Sequence, residues 1–158
     1  MTVTFRENDF ITLRREGGHL YLFAQLYYEG VSDDGSLVNF ILDTGAYLTV
    51  LSRRTAIRCG YDKLPSTVVT INGFGGSGEP ADVVRIPGLK ILDKFVTDVP
   101  VLIPHGKDLT QEVLGLNVLE YFNYYVDTEN TRLYMKLNPT PIPYDTMIAC
   151  GKIFTIFP

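Results

Sequence analysis

A lone aspartate stands between two apolar runs. In "NFILDTGAYLTVLS", residues 39–52, Asp43 follows Phe40, Ile41 and Leu42 and precedes Thr44, Gly45, Ala46 and a second apolar segment. A carboxylate between two segments destined for a core is costly unless it is paired, hydrogen-bonded or used. Used, it would serve proton transfer, the chemistry that a positioned Asp performs. Gly45 permits a tight turn and close approach of another backbone, and the Thr44 hydroxyl can hydrogen-bond across to a partner. The plain alternative is a turn aspartate at a strand end. Asp-Thr-Gly arises by chance in roughly a few per cent of chains of this size, so the context of the tripeptide has to decide.

Other chemistries are poorly served. Cys59 and Cys150 lie far apart in no CxxC pattern and read as free thiols. His19 and His105 are isolated, so no His/Cys cluster stands at zinc-ligand spacing. There is no GxxxxGK[ST], and "GFGGSG" makes no dinucleotide fingerprint. A formal charge of −4, with no Lys/Arg cluster longer than a pair, argues against a nucleic-acid surface. The N-terminal "MTVTFREND" lacks the basic start and apolar middle of a signal peptide. No apolar run approaches the ~18 residues that span a bilayer. The expectation is a cytoplasmic protein with no membrane partner.

The elements that must position Asp43 are mostly strands. The 158 residues suffice for one well-buried domain, and 46% hydrophobic with 20% charged residues is ordinary for a globular chain. "HLYLFAQLYYEG" and "SLVNFILDTG" read as strands joined through "VSDDGS", where Asp34–Gly35 suits a hairpin turn. "YLTVLS" continues as strand. "RRTAIRCG" reads as one or two helical turns, with Ser52 as N-cap and Gly60 as the stop. "STVVTINGFGGSGEPADVVRIP" reads as strand, glycine-rich turn and strand, and "FVTDVPVLIP" as a strand closed by Pro104. "LTQEVLGLNVLEYFN" carries helical spacing, its front half open to strand, and "YYVDTENTRLYMKL" is a hairpin. Many short strands and few helical segments indicate an all-β, barrel-like domain.

With these elements in order, the chain resembles the retropepsin-like aspartic proteases, in the style of cellular or bacterial single-domain members. "FILDTGA" is similar to their active-site segment, "TINGFGGSGE" stands where they carry a glycine-rich flap hairpin, and "EVLGLNVLEYFN" is similar to their second signature, two apolar residues and Gly115 before a helix. The likeness covers roughly Tyr21 to Leu137. It implies an all-β fold: a closed retropepsin-like barrel, one lobe of an acid protease, with one short C-terminal helix. The expected layout is one domain over 1–158, with its core at 20–137 and a C-terminal extension at 138–158. The closing "KIFTIF" of that extension is expected either to pair as a strand with a partner's terminus or to pack on its own domain.

The resemblance also implies a mechanism. Hydrolysis of a peptide bond by carboxylates needs one charged group to take a proton from water and one neutral group to give a proton to the carbonyl oxygen. Two carboxyls ~3 Å apart cannot both ionise, so the pair shares one proton and titrates as a unit. This chain has one Asp-Thr-Gly; Asp127 and Asp145 lack the glycine and read as turn or surface residues. The dyad must then come from Asp43 of two identical chains, each carboxylate buried against its symmetry mate.

The resemblance carries further roles onto single residues. It gives Thr44 a bond across the interface, Gly45 backbone contacts to the bound peptide and Ala46 the retroviral position without a hydroxyl. Gly73, Phe74, Gly75 and Gly76 form the flap tip and bind substrate, and Gly115 and Asn117 support the loop. Two positions depart from the viral pattern: Tyr47 and Leu116 replace the usual acid and arginine, so that ion pair is lost from both sides together. Phe74, Val101 and Ile103 read either as apolar pocket walls or as plain core. The implied activity is a homodimeric aspartic endopeptidase acting on a peptide or protein substrate, with no metal, cofactor or nucleic acid. The alternative is a catalytically inactive retropepsin-like module for dimerisation or peptide binding.

Overall fold

The computed structural model describes residues 3–28, 36–72, 78–106, 111–139 and 153–155. Its first elements are two short strands and two longer ones: β1 (Phe10–Thr12), β2 (Arg14–Glu16), β3 (His19–Tyr27) and β4 (Ser36–Leu42). In β3 the alternation is direct, with Leu22, Ala24 and Leu26 buried and Phe23 exposed, as a half-buried strand requires. β4 buries Val38 and Phe40 in the same way and pairs antiparallel with β3, Tyr21 opposite Ile41 and Leu26 opposite Ser36. The Asp34–Gly35 turn lies outside the described residues.

Beyond Asp43 come β5 (Thr49–Val50) and α1 (Arg53–Arg58). The helix starts where Ser52, in extended conformation, accepts a hydrogen bond from Thr55 N–H through its hydroxyl. It stops at Gly60, whose φ of 78° suits a residue without Cβ. A 3-10 turn at Tyr61–Lys63 follows, and the buried Tyr61 hydroxyl donates to Tyr27 O at 2.6 Å. Burial, with Cys59 nearby, pushes that phenol well above its usual range.

The long antiparallel strands are β6 (Ser66–Asn72), β7 (Glu79–Ile91) and β8 (Lys94–Pro104). They precede β9 (Val113–Leu114), α2 (Leu116–Leu119), β10 (Phe122–Asp127), β11 (Arg132–Leu137) and β12 (Ile153–Thr155). The stretch 109–123, whose front half the sequence leaves open to strand, holds β9, a helix of four residues and the start of β10.

Six strands close a barrel in the order β3-β4-β9-β5-β8-β7, sealed by pairing of β7 with β3 at Leu26 opposite Leu89 and Tyr27 opposite Gly88. Closure removes the edges of those strands. A Cβ at Gly88 would sit 2.3 Å from the Phe95 ring, which lies over that position and meets Tyr27 edge-on at 5.0 Å. A separate sheet, β1-β11-β10, carries the predicted "DTENT" hairpin. β12 runs parallel to β6, Ile153 opposite Thr70, so these three tail residues lie along their own domain.

Two apolar clusters result. The larger fills the barrel with Leu22, Leu26, Phe40, Ile86, Leu89 and Leu114, among others. The smaller joins Ala46, Leu48 and Val50 to Val69, Ile71, Ala81, Val83, Leu102 and Val113. It couples the loop after Asp43 to both arms of the β6–β7 hairpin. Each such side chain contributes roughly 1.5–3 kcal/mol by leaving water. Among the described residues no helix is long and apolar enough to cross a membrane.

Candidate active site

Asp43 lies one residue past β4, where the chain leaves the barrel, and strand pairing holds it on one side. β9 pairs parallel with β4 (Ile41 with Val113, Leu42 with Leu114), and Asp43 N–H donates to Leu114 O at 3.1 Å. Gly45 N–H donates to Asp43 Oδ1 at 2.8 Å, which orients the carboxylate within its own turn. Within one chain Asp43 is half-buried, and Thr44 and Gly45 are exposed. In the single chain the apolar residues flank the loop, and its tip faces outward.

The base of the loop is fully buried. Ala46 and Thr49 are 0% exposed. Ala46 O accepts from Leu116 N–H at 2.8 Å and Tyr47 O from Asn117 N–H at 3.1 Å, so the start of α2 caps the loop from below. Asn117 supports the loop with both ends of its amide. Its Oδ1 accepts from Thr49 N–H at 2.7 Å and from Thr49 Oγ1 at 3.0 Å, while Nδ2 donates to Pro100 O at 2.6 Å. Gly115 N–H in turn donates to Thr49 Oγ1 at 3.1 Å. Every polar group of this cluster is satisfied, as burial demands.

Gly115 touches the loop directly. A Cβ there would lie 2.6 Å from Leu48 C and 2.7 Å from Leu48 O. Tyr47 is exposed and Leu116 is half-buried, so neither of these positions carries a charge.

The flap tip, Gly73, Phe74, Gly75 and Gly76, lies outside the described residues. Its arms are present as β6 and β7, with Ile71 opposite Glu79 as the last pair before the tip. At the base of this hairpin His105 Nε2 meets Asp82 Oδ1 at 3.1 Å. Val101 and Ile103, which the sequence left open between pocket and core, belong to the core at 0% and 3% exposure. Asp127 accepts from Asn130 N–H and side-chain amide in its turn, bonds that hold its carboxyl below the usual range. Asp145 lies outside the described residues. Among the described residues no three His, Cys, Asp or Glu side chains stand close enough to hold a metal.

Two groups escaped the sequence reading. Thr49, inside "YLTVLS", has the sequence signature of an ordinary strand residue. Glu112 carries three hydrogen bonds: Ser52 N–H and Ser52 Oγ donate at 2.6 Å each, and Thr55 Oγ1 is the third donor. An acid at the front of an apolar run followed by serine and threonine far upstream gave no local sign of that contact.

The comparisons match this geometry. UBA domain-containing protein Mud1 of Schizosaccharomyces pombe is 29% identical over 134 residues, which is 80% of this chain and 38% of that protein. The chain thus spans well under half of that curated relative. A retropepsin-like aspartic protease from Rickettsia conorii superposes with a TM-score of 0.58 at 22% identity, covering 80% of this chain and 89% of the other. The retroviral protease-like domain of Ddi1 from Leishmania major gives 0.51 at 19% identity, covering 79% and 92%. Both establish the retropepsin-like fold. Residues 31–121, more than half of the chain and including the Asp43 loop, both flap arms and α2, match the model of a family described as "gag-polyprotein putative aspartyl protease", and the chain belongs to that family.

Proposed function

We propose that this chain is an aspartic endopeptidase that works as a homodimer, with Asp43 of each protomer sharing one proton and activating one water. The observation that carries the reading is the outward-facing Asp43 loop on a buried, fully hydrogen-bonded base. A tip that leaves its carboxylate half-exposed while its foot is fully enclosed suits a site completed by a second copy. Thr44 would bond across the two-fold axis, Gly45 would present its backbone to the peptide, and Gly73 to Gly76 would close over substrate to exclude water. Of the 138–158 extension, the described residues 153–155 pair with β6 of their own domain, which supports packing on that domain over pairing with a partner's terminus.

A second reading, a non-catalytic retropepsin-like module, draws on the Mud1 match, where the matched region is a minor part of a longer protein. One experiment separates the two. Peptide-library cleavage is measured from about pH 4 to 7, the range in which a shared-proton dyad works, with and without pepstatin, for the native chain and Asp43→Asn. The protease reading expects cleavage that pepstatin inhibits and Asp43→Asn abolishes. Peptide binding without cleavage by the native chain would overturn it. Sedimentation checks assembly, and a chain monomeric at every active concentration would refute the two-fold site.

A further inference from the structure

We propose that Glu112 is a positioning residue for the Asp43 loop; the assignment rests on the proteolytic reading above and concerns a group that lies outside the dyad, flap and cleft rim. The carboxylate gathers three donors from the first turn of α1 and the residue before it: Ser52 N–H to Oε2, with Ser52 Oγ and Thr55 Oγ1 to Oε1. Ser52 and Thr55 are 6% and 7% exposed, so these bonds form largely away from water. Ser52 does two jobs at once, since its hydroxyl accepts from Thr55 N–H as the helix cap and donates to Glu112.

The backbone of the same residue faces the other way. Glu112 O accepts from Ile41 N–H at 2.8 Å, and two residues on Leu114 O accepts from Asp43 N–H. The stretch 112–117 is therefore pinned at its front by the Glu112 carboxylate and at its back by the Asn117 amide. The Asp43 N–H hangs between those pins. A carboxylate accepts from all three donors without presenting a donor of its own, which no other side chain of that length does. Without it the Ser52 N–H is orphaned and the leading end of β9 is free to shift against α1, and the acceptor of the Asp43 N–H shifts with it. Catalytic groups tolerate only about half an ångström of such movement.

The test compares the native chain with Glu112→Ala, Glu112→Gln and a remote control, Val96→Ala. Val96 is buried and opposite Leu89, which pairs with Leu26 at the far end of the barrel from Asp43. Its truncation matches a loss of stability without touching the site. Glu112→Gln keeps an acceptor for Ser52 N–H, and its NH2 group can donate to the two hydroxyls. At a temperature where all four are folded, Glu112→Ala is expected to lower kcat by about ten- to a hundredfold with KM within about twofold. Glu112→Gln recovers most of that loss, and Val96→Ala leaves kcat unchanged. Amide hydrogen exchange supplies a readout independent of turnover: Glu112→Ala speeds exchange at Asp43 and Gly115 selectively, and Val96→Ala does not.

A native kcat in Glu112→Ala, an equal loss in Val96→Ala, or exchange that rises evenly along the chain would overturn the assignment. If the native chain cleaves nothing, the protease reading falls and the exchange pattern alone decides whether Glu112 holds the loop. Should Glu112→Ala fail to fold, Glu112→Asp, one methylene too short to reach all three donors, carries the same comparison.

Discussion

Gly115 is required for space rather than for conformation. Its φ of −98° and ψ of 179° are open to any residue, so a conformational argument for glycine fails here. The constraint is the Leu48 backbone, which a Cβ would meet at 2.6 Å with no flexible side chain to yield. Gly115→Ala is expected to destabilise by about 1–3 kcal/mol or more, read as a shift in denaturant midpoint, and to displace the Asp43 loop from α2. Asp98 is the opposite case. Its φ of 54° favours Asp, Asn or Gly, and Arg85 grips its carboxylate through Nε and Nη2 at 2.8 Å each. Those hydrogen bonds hold the carboxyl below the usual range. Because the folded value is the lower one, the contribution is complete above the unfolded Asp value of about 3.9. It is lost as pH falls through the folded value. Asp98→Asn is expected to cost less than about 1 kcal/mol at neutral pH, since the pair is exposed, and nothing in strong acid. Asp98→Ala adds a backbone penalty that persists at both pH values. Urea titrations of the three chains at neutral and acid pH check the sign.

At the level of elements, several local signals match the described structure. β3 and β4 alternate along their length, α1 begins at a serine cap and ends at a glycine, and the β10–β11 turn is marked by Asp127 and Asn130. These are decisions of period and cap, made within a few residues. β5 and β9 were not legible as a pair, because each is two residues long and their partners come from distant parts of the chain. The apolar spacing over 109–123 suits a helix, with its front half open to strand, and local pattern alone does not divide the two. Its front residues give their backbone bonds to β4, so tertiary pairing overrides the periodicity and leaves α2 one turn long. Val101 and Ile103 could not be divided between pocket and core from sequence, since both uses demand the same apolar side chain. β7 shows a further limit: Ile86 and Leu89 are both buried, so a strict two-residue alternation does not run the length of this strand.

On the scale of the whole molecule, the candidate site was legible as a motif with two of its supports, and the other supports were not. Asp43, Gly115 and Asn117 could be named from the resemblance of their motifs, whereas Thr49 and Glu112 matter only because a closed barrel brings residues 41, 49, 52 and 112 together. Closure hides the margins of six strands, but β6 stands outside the ring, with β7 on one side and β12 on the other. The tail strand thus saturates a row of main-chain groups that would otherwise offer a template to any extended neighbour. Removing residues 139–158 is expected to turn that row into an adhesive margin, with scattered light and hydrodynamic radius rising steeply with concentration. Such growth would be open-ended, unlike a two-fold association, and an intact chain of equal concentration should show none of it. By this measure the last strand acts as a guard of solubility, shielding the arm of the flap from stray chains.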